Sequence, residues 1–114
     1  NGGANLGKLS FYNANATNSE TKFGTGTVND NNWHHVALTK QGTTIKFFID
    51  GALDSTQTLS YTGTPAGTPV RIGADNNATL SRPLTGYMDD IRITKGVARY
   101  TAAFTAPTVA FYNA

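Results

Sequence analysis

Side chains able to do acid–base, metal or nucleophilic chemistry are few in this sequence. Two histidines stand side by side at His34 and His35, the single glutamate is Glu20 in a polar loop, and no cysteine occurs among the 114 residues. Neighbouring residues of an extended strand point to opposite faces, so His34 and His35 are not a chelating pair and read as surface or core packing. No third nitrogen or carboxylate lies at a ligand spacing, and no Ser-His-Asp order or pair of glutamates stands out. The lack of cysteine removes disulfides, zinc clusters and thiol catalysis together while leaving the redox compartment undetermined. The residues argue against an enzyme.

Recognition chemistry is better represented. The stretch from Gly73 to Pro83 is long for a hairpin link, and Asp75, Asn76, Asn77 and Arg82 within it offer a carboxylate, amides and a guanidinium to hydrogen-bond sugar hydroxyls. Against this stands its reading as an ordinary solvated connection. Trp33, the only tryptophan, could be a stacking platform for a sugar, although its place beside an apolar strand favours the core. In the segment 84–94, strand parity puts Asp89 with Tyr87, Ile91 and Ile93 on an apolar face, and Asp90 and Arg92 on the outer one. A carboxylate on such a face needs partners, so Asp89 is expected to be buried and to accept hydrogen bonds from backbone N–H groups or a hydroxyl.

The elements that carry these residues are strands. Only 14% of the chain is charged while 39% is apolar, and the remaining polarity comes from Thr, Asn, Ser and Gly, which suit pleated strands and turns better than helices. An all-β domain is expected, one unit spanning residues 1–114. The clearest part is a three-stranded meander from Trp33 to Leu59, with a weak turn at Gln41-Gly42 and a strong one at Asp50-Gly51, where two successive positive φ angles are tolerated. Alternation sends Ile45, Phe47 and Ile49 to one face, Val36 and Leu38 to a shared face, and leaves Phe48 as an exposed apolar exception on the outer side. Val97, Tyr100 and Phe104 are spaced for one helical turn. A net charge of +2 with no basic run gives nucleic acid no footprint. No apolar stretch reaches the length of a membrane span.

Three segments taken in order resemble one family: Trp33-His34-His35-Val36-Ala37-Leu38 leading through Ile45 to Phe48-Ile49-Asp50-Gly51, then Val70-Arg71-Ile72-Gly73, then Gly86 to Ile93. Together they look like a laminin-G-like domain of the concanavalin A-like lectin superfamily. The resemblance covers about residues 6–111 and implies an antiparallel β-sandwich, a jelly roll of two sheets. The trailing Thr94 to Tyr100, with Phe104 and Pro107, is similar to the version found in phage tail fibres and bacterial surface proteins.

From this resemblance come the functional expectations. The leading one is a non-catalytic module of a phage tail fibre or other virion appendage that recognises a host-surface glycan or packs within the assembly. The alternative is a bacterial cell-surface adhesin or a secreted enzyme's carbohydrate-binding accessory module. No cofactor is required. The resemblance permits a structural Ca²⁺ at Asp89, although calcium takes six to eight oxygens and one Asp supplies too few. Because such domains normally begin with further strands, the chain looks like a C-terminal portion. The face bearing Ile45, Phe47, Ile49, Ile91 and Ile93 is then expected to need cover from a missing N-terminal portion, a second copy or a neighbouring subunit.

Overall fold

The computed structural model describes residues 3–64, 70–74 and 83–111. It is all-β, with no helix among the described residues. Among the described residues five strands form two antiparallel sheets: β1 (Lys8–Ala14) pairs with β2 (Ser19–Thr27), and β3 (Val36–Gln41), β4 (Thr44–Ile49) and β5 (Ala52–Thr58) form a meander in the order β3-β4-β5. The expected meander is present with its turns. Asp50 and Gly51 both adopt positive φ, 52° and 83°, as a two-residue turn between twisted strands demands, and Gly42 takes φ 57° at the other.

The faces of β4 follow its alternation. Register pairs Leu38 with Phe47 and Val36 with Ile49, which puts these four side chains on one side of the sheet. There Ile45, Phe47 and Leu59 are buried, and Leu9 and Phe11 of β1 pack against them. The first hairpin therefore covers much of the apolar face that was expected to lack cover. Val36 and Leu38, on the sheet's edge strand, stay exposed.

The opposite side corrects the reading of Phe48, which is 0% exposed. The C-terminal segment crosses the outer face of β3 and β4 and stacks Tyr100 on Phe104 at 3.6 Å, with both rings edge-on to Phe48 at 6.2 and 5.5 Å. Polar ties hold this cover down: Thr39 donates to the Tyr100 carbonyl at 2.9 Å, Lys46 to the Thr101 carbonyl at 2.6 Å, and the Phe104 N–H to the Gly51 carbonyl at 2.8 Å. The segment does this in extended and bent backbone, so the expected helical turn at 97–104 is absent.

A second correction concerns 84–94, which forms no strand. Gly86 at φ 155° and Asp90 at φ 50° interrupt the extended run, and a period-two pattern without a neighbouring ladder has nothing to hold it flat. Tyr87, Met88, Ile91 and Ile93 are exposed, so the expected apolar face bearing Ile91 and Ile93 does not form here.

Candidate functional site

The polar end of the meander gathers the groups best placed for recognition. Register carries the β3–β4 pairing one step beyond Val36 and Ile49, so that His35 lies opposite Asp50 and the Asp50 N–H donates to the His35 carbonyl at 2.8 Å. One Asp50 oxygen accepts the His35 N–H at 2.9 Å and the other meets His34 Nδ1 at 2.8 Å. On its far side, His34 Nε2 meets Asp30 Oδ1 at 2.9 Å. Asp30 also accepts the backbone and side-chain N–H groups of Asn32, both at 3.0 Å.

This geometry places one imidazole between two carboxylates. Donating hydrogen bonds to Asp50, the larger effect, and to Asp30 raises the His34 pKa above its ordinary value. His34 in turn lowers the Asp50 pKa, and the Asn32 amide followed by His34 lowers that of Asp30. Each carboxylate remains about half exposed, 51% for Asp30 and 52% for Asp50, so their spare lone pairs face solvent. Trp33, adjoining His34, is 71% exposed, which overturns its reading as a core residue.

His34 and His35 do point to opposite sides. The His35 ring lies edge-on to Phe104, Tyr100 and Phe111 at 5.5–6.5 Å, its buried Nδ1 has no hydrogen-bond partner among the described residues, and Arg92 sits 3.8 Å over the Phe111 ring. One histidine belongs to the polar rim and the other to the aromatic cover.

The other expected site residues fare differently. Asp75, Asn76, Asn77 and Arg82 lie outside the described residues. Asp89 is exposed and its Oδ1 accepts the N–H of Asp90 at 2.8 Å, so its expected burial is corrected: a local turn, and not an apolar face, surrounds it. Among the described residues no group of three or more His, Asp or Glu side chains is arranged to hold a metal ion.

Glu20 is also relocated, from the expected polar loop to strand β2. It accepts from Asn13 Nδ2 at 3.0 Å, from the Ser60 N–H at 3.0 Å and pairs with Lys22 at 3.1 Å. Asn13 Nδ2 donates further to the Tyr61 carbonyl at 2.9 Å. These bonds, led by Asn13, lower the Glu20 pKa to about 2. A lone glutamate thus ties the first hairpin to the chain beyond β5.

A family model of the concanavalin A-like lectin/glucanases superfamily, of laminin-G type, matches residues 2–106. The chain belongs to this laminin-G family. Two antiparallel sheets facing across Phe47 and Leu9 are consistent with the β-sandwich of that superfamily. No curated protein and no solved structure matches the chain. Membership carries a carbohydrate-binding or structural role, and the particular site must be argued from the residues of this laminin-G chain. In the sequence Asp30 belongs to no motif and Asp50 stands out only as a turn former. The usable signal was the meander's register, which places Asp50 beside His35.

Proposed function

We infer that this laminin-G domain is a non-catalytic glycan-binding module whose recognition rim is built by Trp33, Asp30 and Asp50. The single observation that carries the reading is the 71% exposure of Trp33 next to His34, which is locked between two half-exposed carboxylates. An exposed indole offers a flat apolar surface to the C–H face of a sugar ring, while carboxylate oxygens accept hydroxyl protons. The setting we assign is a phage tail fibre or comparable virion appendage, supported by the likeness of residues 94–107 to that version of the family.

Glycan-array binding by the full chain tests the rim. Trp33→Ala should abolish binding to whichever surface glycan the chain retains, with the melting temperature little changed, as is usual for exposed substitutions. The triple replacement of Asn76, Asn77 and Arg82 by Ala serves as the comparison. Loss in the triple variant with full binding by Trp33→Ala would move the site to the 73–83 connection.

A further inference from the structure

His34 joins two parts of the chain that no ladder holds together at this point. Asp30 belongs to the connection between β2 and β3, Asp50 to the turn between β4 and β5, and the imidazole spans them with both ring nitrogens at 2.9 and 2.8 Å. An ionised carboxylate only accepts, so each contact needs a proton on the facing nitrogen, and both together need the imidazolium. We propose that His34 is a proton-operated latch which positions Trp33: the imidazolium holds the connection bearing Trp33 to the β4–β5 turn, and loss of the proton frees the Asp30 end. The consequence for glycan binding rests on the reading of Trp33 as the recognition platform.

The two ends of the latch are not equivalent. Asp50 is fixed in place twice over, accepting the His35 N–H at 2.9 Å and donating its own N–H to the His35 carbonyl at 2.8 Å. A neutral His34 therefore keeps its remaining proton on Nδ1, facing Asp50. Nε2 then presents a lone pair to an Asp30 oxygen, and attraction becomes repulsion. The other hydrogen bonds of Asp30 go to Asn32, inside the same connection, and do not fasten it to the sheet. The start of that connection stays pinned, because the Val28 N–H donates to the Gly7 carbonyl at 2.9 Å. Release is thus confined to the residues around Trp33.

The charged groups facing His34 are Asp30 from the connection and Asp50 from the turn. His35 acts on Asp50 from the other side of the strand. Both carboxylates favour the imidazolium, which sets the release above the ordinary imidazole value of 6.5 and not below it.

Because Trp33 is the only tryptophan, its intrinsic fluorescence reports on the latch in the full chain with no ligand present. Raising the pH from the acid side of the ordinary histidine value into alkaline solution should shift the emission maximum and quencher access in one transition. His34→Gln should abolish that transition, His35→Phe should retain it, and Asp50→Asn should lower its midpoint. The histidine resonances of the unaltered protein, followed by NMR, give the His34 titration independently of any variant's folding. A His34 midpoint at or below 6.5, a fluorescence transition that survives His34→Gln, or no transition overturns the latch. A transition that glycan binding does not follow leaves the latch standing and removes Trp33 as the platform.

Discussion

The carboxylate of Asp54 on β5 accepts the backbone N–H of Gly26 on β2 at 2.7 Å, and its second oxygen accepts the neighbouring Thr25 N–H at 2.7 Å. β2 and β5 belong to different sheets, so one side chain serves where a ladder is absent. Glycine on both sides of Thr25 leaves room for it: a Cβ at Gly24 or Gly26 would press against the Asp54 oxygens. Gln57 adds a weaker tie, donating to the Phe23 carbonyl at 3.3 Å. The sandwich is joined along this line by charge-assisted bonds to backbone amides.

Asp54→Ala should therefore lower unfolding stability by about 1.5–3 kcal/mol, the usual worth of a hydrogen bond to a charged group. Asp54→Asn keeps one acceptor and should lose less. Urea unfolding followed by circular dichroism measures both, and an alanine variant as stable as the parent would show that water satisfies these amides equally well.

Acid should weaken the domain through Glu20. Its pKa falls from 4.5 to about 2 on folding, so its contribution is complete above 4.5 and disappears as the pH drops through about 2. Asp30 and Asp50 are shifted in the same direction, and Glu20→Gln should reduce the acid loss without removing it. Thermal melts between pH 6 and 2 provide the measurement.

Base should act through His34 with the opposite sign. A raised pKa gives a contribution present below 6.5 and lost as the pH climbs through the folded value. Melting temperature should decline above neutrality in the parent and stay flatter in His34→Gln.

Removing the ring of Phe48 should cost about 3–5 kcal/mol, the usual range for a buried phenylalanine cut to alanine. The same substitution should loosen the C-terminal cover, because Tyr100 and Phe104 pack directly on that ring. Hydrogen exchange at the Phe104 amide, which donates to Gly51, would register the loosening; protection equal to the parent's would mean that the backbone ties suffice.

How much of this was legible beforehand differs from residue to residue. Alternation in Ile45, Phe47 and Ile49 and the Asp50-Gly51 turn are local properties, read over two to four residues, and they specified the meander and its faces. Register then followed by counting, which was enough to bring His35 opposite Asp50. The run from Leu84 to Thr94 carried the same alternation and yet formed no strand, because a ladder also needs a neighbour that sequence periodicity does not supply.

Taken by itself, the sequence determined the all-β character, the hairpin turns and the opposed directions of His34 and His35, since each depends on bonds and sterics between near neighbours. Tertiary structure alone decided that Trp33 is exposed, that Phe48 is covered and that Glu20 and Asp54 bind amides 40 and 28 residues away at Ser60 and Gly26. A carboxylate's partner depends on which strands face each other, and that choice comes from burying Phe47, Ile45 and Leu59 beneath Leu9 and Phe11. Local pattern chooses the strands, and apolar burial chooses their neighbours.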